Sequence, residues 1–136
     1  MSPLLPFVCF IPLFLAACSG NQTSVEKNAR HTAYQIERIH FDPNMRPLTA
    51  DNIRQTARFL SQFYELGKKD RAAGLTTAQA QQRVNSFSAD GGPFAPEAQK
   101  STFIDQEYDA DQPEKRSDIL KQGATATYWD GYNGRP

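Results

Sequence analysis

Gly123, Thr127 and Gly131 stand four residues apart near the end of the chain. Positions spaced by four share one face of an α-helix. A face without bulk lets a second helix come close, because the side chains at a contact set the distance between the two axes. Gly67, inside another helical pattern, is the natural partner for that row. This commits the chain to helix-on-helix packing.

The pattern around Gly67 predicts a helix from about Thr49 to Ala73. Ile53, Ala57, Leu60, Phe63, Tyr64 and Gly67 fall on one face at spacings of three and four, while Arg54, Arg58, Gln62 and Lys69 fall elsewhere. Thr49 can cap it, Asp51 suits the positive end of the macrodipole, and Gly74 suits the left-handed residue just past a helix. A second helix starts at once: Thr76 with Gln79 three residues on is a capping-box pattern, and Ala80, Val84 and Phe87 supply a buried stripe. Ser88 to Pro96 is dense in turn-formers and reads as a loop. Glu97 to Tyr108 stays ambiguous, a short helix presenting Phe103 and Ile104 being one reading. The last helix opens at Pro113, with Asp111 or Gln112 as cap and Glu114 beside the dipole. Its apolar face is Ile119, Leu120, Gly123, Ala124, Thr127, Tyr128 and Tyr132. An echo links two of these helices. Phe63-Tyr64-Glu65-Leu66-Gly67, followed by Asp70-Arg71 and Gly74, is matched by Thr127-Tyr128-Trp129-Asp130-Gly131, followed by Gly134-Arg135, as two helix ends solving one packing problem.

Upstream the signals are weaker. His31 to Asp42 alternates imperfectly, so Tyr34, Ile36, Ile39 and Phe41 read as one side of a strand or extended segment, ended by Asp42-Pro43-Asn44. Ser19 to Arg30 is polar and reads as a flexible tether. Before it, Leu15-Ala16-Ala17-Cys18 closes an apolar stretch and resembles a bacterial lipobox, with cleavage between Ala17 and Cys18 and lipidation of the Cys18 thiol. The apolar core, Leu4 to Leu15, is short of the ~20 residues that span a bilayer. The alternative is an ordinary secretory signal in which Cys18 is incidental. The organisation expected is a lipoprotein signal peptide over 1–17, an acylated cysteine and tether over 18–30, and one small domain over 31–136. The fold class is mostly α, with three to four helices.

Composition narrows the chemistry. Lys and Arg number 15, as do Asp and Glu. That balance argues against nucleic acid as a partner, which needs a basic excess. It also argues against electrostatic docking on anionic lipid, so membrane attachment is expected from acyl chains, diacylglyceryl and N-acyl palmitate. With Cys9 in the signal and Cys18 acylated, no thiol is left for a disulfide or metal. The stretch Asp105, Glu107, Asp109, Asp111 has the alternating spacing of a calcium loop, but Ala110 stands where the turn needs Gly and Arg116 where a bidentate Glu belongs. It reads as a solvated acidic linker. His31 and His40 lack partners at metal-ligand spacing. No nucleophile elbow or phosphate loop occurs. The chain is therefore expected to be no enzyme and to hold no cofactor or metal.

Tyr128, Trp129, Tyr132 and Arg135 are the candidate partner-binding residues, since Trp, Tyr and Arg are enriched in interface hot spots. Core packing is the competing reading of the aromatic three.

Beyond the lipobox, Gly67-Lys68-Lys69-Asp70-Arg71-Ala72-Ala73-Gly74 precedes a Gln/Ala-rich helix, and the chain ends Ala126-Thr127-Tyr128-Trp129-Asp130-Gly131-Tyr132-Asn133-Gly134-Arg135-Pro136. On these motifs the chain resembles the small lipoprotein family named after the second entry-exclusion protein of colicin-type plasmids. The resemblance covers about half the mature chain and leaves Ser86 to Ile119 unmatched. It implies an envelope lipoprotein linked by name to plasmid entry exclusion, in which a resident plasmid hinders uptake of a related one. The role expected of this chain is non-catalytic, by interaction with an envelope protein partner. The alternative is a structural or assembly lipoprotein unrelated to conjugation. Ser19 after the cysteine, where retention in the inner membrane typically uses Asp, implies the outer membrane, facing the periplasm.

Overall fold

Helix α1 occupies Ser24–Ile39, where a tether and then a strand or extended segment are expected. The computed structural model describes residues 22–39, 49–95 and 112–136, and α1 is the first element in it. Thr23 opens the helix with a capping box: its Oγ1 accepts from the Glu26 N–H at 3.2 Å, and Glu26 Oε2 accepts from the Thr23 N–H at 3.1 Å. Ala29, Thr32 and Ala33 are buried and Val25 packs on the core. This stripe has helical spacing but is built of small or polar residues. Its hydropathy is low, and the imperfect alternation beyond it is the louder signal. The tether boundary moves accordingly, because Ser24 to Arg30 are already helical.

The other helices lie where the sequence puts them. They are α2 (Thr49–Ala72), α3 (Thr77–Asn85), which runs into a 3-10 turn at Ser86–Ser88, and α4 (Pro113–Tyr132). The fold is mostly α, as expected, with no strand among the described residues. Thr49 is the first helical residue of α2, not its cap. Thr76 and Gln79 form the expected capping box. Gln112, rather than Asp111, holds the N-cap position of α4, with no side-chain bond. The Asp42-Pro43-Asn44 turn, His40, Glu97 to Tyr108 and the acidic stretch Asp105 to Asp111 lie outside the described residues, as does the lipobox with Cys18.

Leu60, Phe63, Phe87, Ala124 and Tyr128 form the centre of the core. The loop after α3 adds Phe94, which stacks on Phe63 with centroids 5.9 Å apart and donates its N–H to the Phe87 carbonyl at 2.8 Å. Gly92 allows that fold-back, since a Cβ there would meet the Phe87 carbonyl at 2.7 Å. A loop residue thus closes one side of the core.

The small-residue row does bring helices together, but it serves two of them. A Cβ on Gly67 would strike the Tyr128 carbonyl, and one on Gly131 the Tyr64 carbonyl, so α2 and α4 touch backbone to backbone. Gly123 instead faces α1, where a Cβ would lie 2.5 Å from Thr32 Oγ1. Thr127 also faces α1, accepting from Asn28 Nδ2 at 3.2 Å. The expected pairing of Gly123 and Thr127 with Gly67 is therefore corrected: their partner is the helix that the sequence pattern hid. Contacts run from Ser24 with Arg135, through Asn28 with Asp130, to Thr32 with Gly123, so α1 is antiparallel to α4.

Candidate functional site

The C-terminal turns of α2 and α4 and the first turn of α1 meet at one end of the bundle. Both C-termini close in the same way. Gly74, at φ +83°, donates its N–H to the Arg71 carbonyl, while the Leu75 N–H reaches back to Asp70. Gly134, at φ +69°, donates to Gly131, while the Arg135 N–H reaches Asp130. Each pair satisfies carbonyls that a helix end leaves orphaned, and only the left-handed glycine allows it. The tail beyond α4 then serves α1. The Ser24 N–H donates to the Pro136 carbonyl at 2.8 Å, and the Arg135 carbonyl accepts from Ser24 Oγ and from the Tyr64 hydroxyl at 2.6 Å.

Behind this end lies a charged network. Asp70 is 4% exposed and takes a two-pronged ion pair from Arg83, 2.9 and 3.2 Å, plus the Tyr128 hydroxyl at 2.9 Å. The Arg83 hydrogen bonds hold the Asp70 carboxyl below its ordinary value, outweighing burial, which acts the other way. Burial pushes the Tyr128 phenol well up, and its bond to the Asp70 carboxylate adds to that. Tyr128 stays protonated and donating, so the group is a locked structural tie. Asp70 and Arg83 are not among the candidate site residues that the sequence marks. The signal was present, because Asp70 continues the stripe of Leu60, Phe63 and Gly67 and is a carboxylate on an apolar face.

The four candidate partner-binding residues separate. Tyr128 is fully buried and Tyr132 is 2% exposed. Tyr132 donates its hydroxyl to the Leu75 carbonyl at 2.6 Å and lies under the Arg71 guanidinium, 5.1 Å from the ring centre. A side chain without free surface cannot touch a partner, so the expectation is corrected for these two: they fasten α4 to the end of α2. Trp129 is partly buried, edge-on to Tyr128 and Tyr132. Arg135 has 69% of its side chain exposed and pairs with Asp130 at 3.2 Å. These two remain at the surface.

Elsewhere the described residues offer less. His31 is exposed, and no cluster of His, Cys, Asp and Glu has the makings of a metal site among them. An open groove of about 530 Å³ between α3 and α4 is lined by Val84, Ser88, Lys121 and Thr125 among others, and Lys121 is its one ionisable side chain. No helix of the described residues is long and apolar enough to cross a membrane. Comparisons with family models, with curated proteins and with solved structures find no match to this chain.

Proposed function

We propose that this protein is a lipid-anchored envelope lipoprotein of the entry-exclusion type, which acts by interaction and catalyses no reaction. The observation that carries the reading is Leu15-Ala16-Ala17-Cys18 so close to the folded part: Thr23 caps the first helix five residues beyond Cys18. Diacylglyceryl and N-acyl chains on Cys18 hold the mature protein at the outer membrane, on its periplasmic side. Of the four candidate partner-binding residues, Trp129 and Arg135 keep surface available for contact. The family resemblance of the Gly67–Gly74 and Ala126–Pro136 motifs supports the exclusion role. The rival, a structural or assembly lipoprotein, shares the anchor and differs in the partner.

Stable attachment needs two acyl signals, since one chain binds only marginally. Cys18→Ala should therefore leave the protein unprocessed or release it to the periplasm. If the variant is cleaved and still fractionates with the membrane as wild type does, the anchor reading fails. Exclusion itself is read by plating: a recipient expressing the protein should take up a related conjugative plasmid less often than one expressing Cys18→Ala. Equal transfer would favour the structural role.

A further inference from the structure

The short leash and the way the chain end is tied back have a consequence for orientation. Only four peptide units separate Cys18 from Gln22, where the described structure begins. Even fully extended they span at most ~14 Å. An acylated Cys18 therefore keeps the first turn of α1 near the lipid headgroups. Ser24 is bonded to the carbonyls of Arg135 and Pro136, so the C-terminal tail is held at the same level. Tyr64 is bonded to that tail and Arg71 rests on Tyr132, so the last turns of α2 come with it.

That end is basic although the whole chain is neutral. Lys27, Lys68, Lys69, Arg71 and Arg135 are all exposed there. Against them, among the described residues of these turns, stand the carboxylates of Glu26, Glu65 and Asp130 and the α-carboxylate of Pro136. Asp70 is buried against Arg83 and cancels. Asp130 has 14% of its side chain exposed and is shared between Asn28 Nδ2 and Arg135, Glu65 pairs with Lys68, and Glu26 caps the first turn of α1 at the surface. Trp129 sits on the last turn of α4 beside Tyr132, and partly exposed Trp is at home at a lipid–water interface.

We propose that this end of the bundle docks on the phosphate headgroups of anionic phospholipid, so that Trp129 and Arg135 meet the bilayer itself. The proposal rests on the Cys18 anchor of the reading above. The acyl chains supply attachment and the basic end supplies orientation, leaving the far end of the bundle and the α3–α4 groove turned to the periplasm. Each net positive charge at an anionic surface multiplies the docked-to-undocked ratio roughly fivefold at physiological salt.

The acylated mature protein tests this when reconstituted on vesicles of phosphatidylcholine alone or mixed with phosphatidylglycerol, each carrying a headgroup nitroxide quencher. Trp129 is the single tryptophan in the sequence, so its fluorescence reports this end and nothing else. Quenching should be strong on the mixed vesicles, weak on the neutral ones, and should fall as salt screens the contact. The triple variant Lys68→Gln, Lys69→Gln, Arg135→Gln should drop to the neutral-vesicle level with its circular-dichroism melt unchanged. Should it melt early, Lys27→Gln with Lys69→Gln asks the same question at two exposed positions. Protein that floats with both vesicle types but is quenched equally overturns the docking and leaves the anchor standing. Protein that floats with neither overturns both. A photocrosslinker at position 135 that captures an envelope protein and no lipid in native membranes would also overturn it.

Discussion

Helices α2 and α4 both end on a left-handed glycine four residues after an aspartate, with the same pair of backbone hydrogen bonds. The two aspartates then differ in the company they keep. Asp70 accepts from Tyr128, which has no exposed surface, and from Arg83. Asp130 accepts from partly buried Asn28 and from Arg135, whose side chain is 69% exposed. Remove Asp70 and a buried hydroxyl loses its acceptor with no water to replace it. Remove Asp130 and both donors can turn to solvent. An identical backbone device thus carries a stability determinant at one end and a rim contact at the other, and the partner's access to water makes the difference.

The comparison depends first on the two helix ends being in backbone contact. Gly67→Leu would drive a side chain into the Tyr128 carbonyl, and overpacking there should cost about 3 kcal/mol, the upper part of the usual range. Urea denaturation that barely shifts would mean the ends are not joined at Gly67.

Next comes the asymmetry itself. Asp70→Ala should cost about 2 kcal/mol, because it orphans the Tyr128 hydroxyl and breaks the Arg83 pair, whose arginine is partly solvated. Asp130→Ala should cost less than about 1 kcal/mol. Equal losses in the same denaturation series would erase the distinction. The Asp70 contribution also has a pH signature. Its folded-state carboxyl titrates below the ordinary 3.8, so the unfolded chain takes up the proton first. The stabilisation is complete above that ordinary value and is lost as pH falls below it and through the depressed folded value. Asp70→Asn should flatten this acid limb of the stability curve.

Smaller effects probe the shared device. Nothing lies within 4 Å of a Cβ added at Gly74 or Gly134, so alanine at either should cost only the left-handed backbone penalty, about 1 kcal/mol each. A larger loss at Gly134 would show that the tail's bonds to Ser24 and Tyr64 depend on the turn. Smallest is Arg135→Ala, expected within about 0.5 kcal/mol. The tail is held through the Arg135 carbonyl, which any residue supplies, and the side chain makes only an exposed pair with Asp130.

Much of this was legible in residue order. The glycines of the α2–α4 contact, both closing glycines, the Thr76 capping box and the turn-rich loop after α3 are local signals, and each appears where its spacing puts it. Helix α1 was less visible, although Thr23 with Glu26 is the same capping pattern. Ala29, Thr32 and Ala33 carry little hydropathy, and without α1 the partner of Gly123 could not be assigned. Phe94 looked like part of a turn because nothing within its own segment says that Phe59 and Phe63 wait for it.

By itself the sequence determined that the chain is helical, where three of its helices end, and which residues are small enough for backbones to meet. These depend on φ and ψ preferences and on spacing within a few residues. Only the tertiary structure decided that Asp70 is buried rather than solvated, that Tyr128 and Tyr132 face inward while Arg135 faces out, and that the first and last turns share one end. Burial and charge pairing are properties of what packs over a residue. For Asp70 that cover comes from Tyr128, 58 positions along the chain.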